Sequence, residues 1–180
     1  MELDQRKSDP SPGPVRAVLL MGVSGCGKSE IGRRLATALG WPFHDGDAFH
    51  PPENVARMRQ GMPLTDAHRE PWLDAIATDL RRTVTSGTGG VYACSALARR
   101  YRQRLGLPHP AVRLVHLAGD PETIRRRLEA RRGHFMPASL LESQLAALEP
   151  PGPEEQPCVI DVGAPPETLV RLIIATLPPR

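Results

Sequence analysis

The segment GVSGCGKS at residues 22–29 constrains this chain more than any other feature, because it matches the pattern G-x-x-x-x-G-K-[ST] in full. It lies between an apolar run at residues 15–21, typical of a strand buried on both faces, and an amphipathic helical pattern that ends at Gly40. A glycine-rich turn in this position points backbone N–H groups at phosphate oxygens, beside a helix N-terminus. The sequence therefore predicts a nucleoside triphosphate site formed by Gly22, Val23, Ser24, Gly25, Cys26, Gly27, Lys28 and Ser29.

Two residues of this loop have separate predicted roles. The Lys28 ammonium can bridge the β- and γ-phosphates, and the Ser29 hydroxyl can ligate Mg²⁺. A dinucleotide site is excluded, because Glu30 stands where the third glycine of G-x-G-x-x-G would be. We therefore expect ATP and Mg²⁺ to bind here. The loop alone leaves a switch, a motor and a kinase open, although no guanine-specifying NKxD element is present.

Apolar and amphipathic segments alternate along the rest of the chain. Beyond the first strand, the patterns predict strands at residues 41–44, 91–94, 112–117 and 158–162, with helices between them. Such alternation is typical of a parallel sheet with right-handed crossovers. We expect an α/β protein with the P-loop NTPase fold, in which a parallel five-stranded sheet is flanked by helices. A single domain would cover residues 15–180, with a small helical lid at about residues 125–148 and a disordered leader at residues 1–14.

Composition excludes several function classes. Only 4% of the residues are aromatic, so stacking platforms for bases are scarce, and a net charge of +3 reflects abundant arginine rather than a nucleic-acid surface. No apolar run approaches the roughly 20 residues that a membrane span requires. The three cysteines are far apart, which suits neither a disulfide framework nor a metal site. We expect a cytoplasmic protein with no nucleic-acid or membrane partner.

Two carboxylates follow the second predicted strand. Asp45 and Asp47 lie at the end of the strand that faces the phosphate loop in a parallel sheet. Asp45 could hold a water ligand of Mg²⁺, and Asp47 could orient the attacking hydroxyl of an acceptor. An ordinary Asp-Gly turn is the alternative interpretation of the same residues.

Basic residues further along the chain are candidates for substrate binding. His50 and Arg57 share one helix face, Arg69 precedes a helix, and Arg127 and Arg131 lie four residues apart. Arginines of a lid could neutralise charge on a transferring phosphoryl group. Solvated surface residues would produce the same patterns, so the spacing alone leaves both interpretations open.

Five segments together resemble the gluconate kinase family: GVSGCGKS, DGDAFHP, PLTDAHREPW, CSAL with the following YR pair, and RLEARRGHF. Their order and spacing match that family from about Val18 to Pro151. The resemblance implies a shikimate-kinase-like fold, a homodimer, and transfer of the ATP γ-phosphate to the 6-hydroxyl of D-gluconate. It implies a catalytic set of Lys28, Asp47, Arg127 and Arg131, with Arg127 also close to ATP.

The resemblance also implies which residues surround the sugar acid and where the metal lies. Substrate-binding residues would be Asp47, His50, Arg57, Arg69, Ser95, Arg102 and His134, and metal-binding residues would be Ser29 and Asp45. This chain has Ala98-Arg99-Arg100 where the family usually has two lysines, so altered acceptor affinity or selectivity is expected. Two alternatives remain: a sibling kinase for another small acceptor such as shikimate or another aldonate, and a non-catalytic nucleotide-binding regulatory domain.

Overall fold

Five strands form one parallel sheet in the computed structural model, which describes residues 13–130 and 138–178. The strands are β1 (Ala17–Met21), β2 (Phe43–Asp45), β3 (Gly90–Ala93), β4 (Val112–Ala118) and β5 (Cys158–Asp161). Their order across the sheet is β2-β3-β1-β4-β5, and every neighbouring pair is parallel. The predicted five-stranded α/β fold is confirmed, and each strand ends within two residues of its predicted bounds.

Helices cover both faces of the sheet. Within the described residues they are α1 (Lys28–Leu39), α2 (Pro52–Arg59), α3 (Asp66–Ser86), α4 (Arg99–Arg104), α5 (Pro121–Ala130), α6 (Ala138–Ala147) and α7 (Pro166–Ala175). Alternate side chains of β1 divide the core: Val18 and Leu20 join the cluster that contains α1 and α7, whereas Leu19 joins the cluster that contains α3. Burial of β1 on both faces explains its continuous apolar sequence.

Helix α3 begins at Asp66, five residues before Pro71. Thr65 and His68 form a capping box, in which the Thr65 backbone N–H donates to His68 Nδ1 at 3.1 Å. This cap satisfies backbone groups at the helix end and allows α3 to start before Pro71. Glutamate or glutamine is usual at the N3 position of a capping box, and this helix has His68 there. The sequence therefore does not make the start of α3 evident.

The order of the strands brings three loops to one edge of the sheet. Strands β2, β3 and β1 are neighbours, and each ends at the same carboxyl edge. The phosphate loop follows β1, Asp45 ends β2, and Ser95 follows β3. The predicted site residues from these segments are therefore adjacent in space.

Part of the predicted architecture lies outside the described residues. This applies to residues 1–12 of the predicted leader and to residues 131–137 of the predicted lid. Among the helices that are described, none has the length and apolar character needed to span a membrane.

Candidate active site

The phosphate loop runs directly from β1 into the first turn of α1. Gly22, Gly25 and Gly27 have φ angles of 142°, 84° and 97°, a backbone region that favours glycine. A Cβ on Gly22 would lie 2.7 Å from the carbonyl oxygen of Leu117 and 2.9 Å from Sγ of Cys26. Glycine is therefore required where the loop begins, as the motif predicts.

The Lys28 side chain folds back onto the start of this loop. Its Nζ donates to the carbonyl oxygens of Gly22 at 2.9 Å and Val23 at 3.0 Å. These contacts hold the ammonium at the beginning of the loop, 3.9 Å from Sγ of Cys26. Phosphate oxygens would offer this cation stronger, charge-assisted hydrogen bonds than the two neutral carbonyls.

Ser29 and Asp45 lie side by side at the other end of the loop. The Ser29 hydroxyl donates to Asp45 Oδ2 at 3.1 Å, and Asp45 Oδ1 accepts a hydrogen bond from the Asp47 backbone N–H at 3.2 Å. A hydroxyl beside a carboxylate supplies the oxygen ligands that Mg²⁺ takes, with phosphates and waters completing its shell. These two residues therefore fit the predicted ion.

Asp47 follows Asp45 on a short 3-10 turn, Gly46–Phe49, and its side chain is exposed. A Cβ on Gly46 would clash with the carbonyl oxygen of Ala93, so glycine lets this turn pack against β3. Burial raises the pKa of the Cys94 thiol to about 12, while the charges of Lys28 and Asp47 act on it in opposite directions. Asp47 and Lys28 therefore face the same end of β3.

His50 lies between Asp47 and the start of α3. Its ring stacks on Trp72 with centroids 4.3 Å apart and an interplanar angle of 14°. Burial lowers its pKa; the Asp47 charge raises it, and the Arg69 charge lowers it. Asp47 and Arg69 therefore both lie near His50.

Arg57 and Ser95 lie on two other segments. Arg57 on α2 is partly buried, and its Nε is buried without a hydrogen-bond partner among the described residues. Ser95 follows β3 and accepts a hydrogen bond from the Gly22 backbone N–H through its carbonyl oxygen at 3.2 Å. Ser95 therefore lies where the phosphate loop begins.

Asp66 and Arg100 were not among the predicted site residues, but they cluster with Arg69, which was. Tyr101 donates its hydroxyl proton to Asp66 Oδ1 at 2.5 Å, Arg100 pairs with Asp66 at 3.0 Å, and Arg69 donates to the Tyr101 hydroxyl at 3.3 Å. The Tyr101 hydrogen bond, followed by that from Arg100, lowers the pKa of Asp66. The segments PLTDAHREPW and YR were visible in the sequence, but their mutual contact was not.

Arg102 requires a correction. It was expected to contact the substrate, but its side chain is only 1% exposed and pairs with Glu155 at 2.6 Å. Its Nη1 donates to the carbonyl oxygens of Ala96 and Leu97, both at 3.0 Å. Arg102 therefore stabilises the loop between β3 and α4 from inside the protein. Its guanidinium already forms hydrogen bonds with protein groups.

Arg127 projects from α5 towards the end of β5, where Nη2 donates to the carbonyl oxygen of Val162 at 2.5 Å. In this conformation its guanidinium binds a backbone carbonyl, and its predicted action on phosphate stays a prediction. Arg131 and His134 lie outside the described residues.

Helix α6 contributes one contact that no sequence pattern indicated. Gln144 Oε1 accepts a hydrogen bond from the Ser24 backbone N–H at 2.7 Å, and Gln144 Nε2 donates to Ser24 Oγ at 3.0 Å. A residue of α6 is thus hydrogen-bonded to the centre of the phosphate loop.

Comparison with known proteins shows the family to which this chain belongs. The model of the shikimate kinase family matches residues 24–164. A gluconokinase from Gluconobacter oxydans is 51% identical over 140 residues, which cover 78% of this chain and 79% of that protein.

Two solved structures agree over nearly the whole length. An unliganded sugar kinase from Janibacter sp. HTCC2649 has a TM-score of 0.82 and 46% identity, covering 90% of this chain and 94% of that one. A gluconokinase from Sinorhizobium meliloti 1021 has a TM-score of 0.79 and 43% identity, covering 91% and 90%. The chain therefore belongs to the shikimate kinase family and, within it, groups with the gluconokinases.

Proposed function

We propose that this chain transfers the γ-phosphoryl group of ATP to the 6-hydroxyl of D-gluconate, forming 6-phospho-D-gluconate and ADP. The observation that carries the proposal is the arrangement at the carboxyl edge of the sheet. Lys28 and Ser29 end the phosphate loop, Asp47 and His50 lie on the segment after β2, and Arg69 on α3 is close to His50. The relatives named gluconokinase, at 51% and 43% identity, support gluconate as the acceptor.

The donor side of the reaction would depend on Lys28, Ser29 and Asp45. The Lys28 ammonium would leave the carbonyls of Gly22 and Val23 for the β- and γ-phosphates. Ser29 and Asp45 would hold Mg²⁺, which neutralises phosphate charge when bound. Arg127 and Arg131 would add positive charge near the nucleotide.

The acceptor side would depend on Asp47 and the neighbouring cations. The 6-hydroxyl oxygen attacks the γ-phosphorus, the bond to the β–γ bridging oxygen breaks, and ADP leaves. The Asp47 carboxylate accepts the hydroxyl proton and orients the attacking oxygen. Arg57 and Arg69 would bind the acceptor carboxylate, because a guanidinium matches a carboxylate in a bidentate arrangement. Ser95, His50 and His134 would complete the acceptor pocket.

A panel of acceptors tests this proposal. ADP release from Mg-ATP is measured with gluconate, other aldonates, shikimate and water in parallel. Turnover that depends on gluconate, well above the other acceptors, is expected. Preference for another acceptor would reassign the substrate and make the loop around Ala98 the first segment to examine. ATP binding without any acceptor-dependent release would favour a regulatory nucleotide-binding domain.

Assembly and location form a second part of the proposal. The family resemblance supports a homodimer, which light scattering after size-exclusion chromatography would test. Cys26, Cys94 and Cys158 are free thiols, which fits the reducing environment of the cytoplasm.

A further inference from the structure

Gln144 uses both ends of its side-chain amide on a single residue of the phosphate loop. The Ser24 backbone N–H can only donate, so the Gln144 atom that faces it, 2.7 Å away, must be Oε1. The amide nitrogen then faces Ser24 Oγ at 3.0 Å and donates to it. The orientation of the Gln144 amide is therefore determined by the backbone of the loop.

This contact restricts the Ser24 hydroxyl. Because Oγ accepts from Gln144, its own proton must point away from Gln144. Within residues 13–130 and 141–178, no acceptor takes that proton. The Ser24 hydroxyl is therefore an oriented hydrogen-bond donor that can donate to a bound ligand.

The position of Lys28 indicates which part of a ligand this donor would meet. The Lys28 ammonium rests on the carbonyls of Gly22 and Val23, immediately before Ser24. The lysine of this motif serves the β- and γ-phosphates. Ser24 therefore lies close to the resting position of the ammonium that would bind these phosphates.

Helix α6 is well anchored apart from this contact. Leu141 is only 1% exposed, and Leu145 and Leu148 pack against the core. Beyond the helix, the Glu149 backbone N–H donates to the Leu97 carbonyl oxygen at 2.9 Å, and Glu149 Oε2 accepts from the Arg99 backbone N–H at 2.6 Å. Loss of the Gln144 amide should therefore leave α6 in place.

We propose that Gln144 is a positioning residue, which orients the Ser24 hydroxyl so that it donates to the terminal phosphate of ATP. The inference rests on the proposed function only in requiring that ATP binds at the loop. Gln144 itself would touch no phosphate. It would act by holding the Ser24 hydroxyl in one orientation.

The test compares nucleotides with and without a terminal phosphate. Titration calorimetry with Mg²⁺ measures the Kd of ADP and of the ATP analogue AMPPNP. The proteins are the wild type, Ser24→Ala, Gln144→Met, the double variant, and the control Gln103→Met, an exposed glutamine of α4. Methionine keeps the length of the glutamine side chain and removes both of its hydrogen bonds.

Gln144→Met is expected to weaken AMPPNP binding about tenfold relative to ADP, as loss of one hydrogen bond to a charged group would do. The double variant should be no weaker than Ser24→Ala, because Gln144 acts through that hydroxyl. Gln103→Met should bind like the wild type. Thermal unfolding checks that each variant is folded.

Three results would overturn the inference: equal weakening of ADP and AMPPNP, additive losses in the double variant, or wild-type discrimination in Gln144→Met. The calorimetry uses no acceptor, so failure of gluconate turnover would reject the proposed substrate and leave this test valid. A wild type that binds neither nucleotide would reject both.

Discussion

Asp47 is the residue whose position bears most directly on the chemistry. It is exposed, it follows the pair Ser29–Asp45 within two residues, and its charge acts on both Cys94 and His50. Under the proposed function, this carboxylate would meet the acceptor hydroxyl rather than the nucleotide. Its role should therefore be separable from ATP binding.

Replacement of Asp47 by asparagine is expected to lower kcat for gluconate about a hundredfold or more, because the amide cannot accept the hydroxyl proton. The Kd of AMPPNP should change little, since the proposed role of Asp47 concerns the acceptor. Steady-state kinetics and calorimetry measure the two quantities. The control Asp74→Asn alters an exposed carboxylate that pairs with Arg104. An unchanged kcat in the Asp47 variant would remove this residue from the reaction.

Among the elements, the loop between β3 and α4 depends on the segment after α6. Arg102 on α4 is buried against Glu155, and Glu149 is hydrogen-bonded to Leu97 and Arg99. The loop from Ala96 to Ala98 is thereby supported by residues much later in the chain. Ala96 has a φ of 44°, a conformation that an unsupported alanine would rarely adopt.

Glu155→Ala is expected to lower the free energy of unfolding by about 3 to 5 kcal/mol, because it leaves the buried Arg102 cation unpaired. The double variant with Arg102→Met should recover part of that loss, since no buried charge remains. Urea unfolding measures both. The exposed pair Arg104–Asp74 offers a comparison, where Asp74→Asn should cost about 1 kcal/mol or less. A Glu155→Ala effect as small as this would show that the pair contributes little to stability.

The elements differ in how far the sequence could predict them. The phosphate loop, β1 and the pair Asp45–Asp47 follow from local patterns, and the structure has them at the expected positions. The partners of Arg102 and Ser24 lie 53 and 120 residues away along the chain, and no local pattern encodes such distances. Arg102 was therefore predicted to contact the substrate, whereas its side chain is buried and stabilises a loop.

In the protein as a whole, two histidines make the free energy of unfolding depend on pH. His116 on β4 is 6% exposed, and burial, followed by the nearby Arg102 charge, lowers its pKa. Burial also lowers the pKa of His50. Both rings resist protonation in the folded state, whereas the unfolded chain takes up protons near pH 6.5.

Stability is therefore expected to fall as the pH decreases from 7 to 5.5, because the unfolded state binds more protons in this range. One such histidine contributes a slope of at most about 1.4 kcal/mol per pH unit. His116→Gln should reduce the slope, and the remainder would come from His50 and other groups. Urea unfolding at a series of pH values measures this slope. A slope that His116→Gln leaves unchanged would exclude His116 as its source.

The burial of two of the three sulfur atoms has a practical consequence for labelling. Cys26 and Cys94 are buried, with the pKa of Cys94 raised to about 12, whereas Cys158 at the start of β5 is partly exposed. The thiolate is the form that alkylating reagents attack, so Cys158 should react first in the native protein. A fluorophore could be attached at the edge of the sheet while the phosphate loop stays unmodified, so that nucleotide binding could be followed optically in the wild-type sequence.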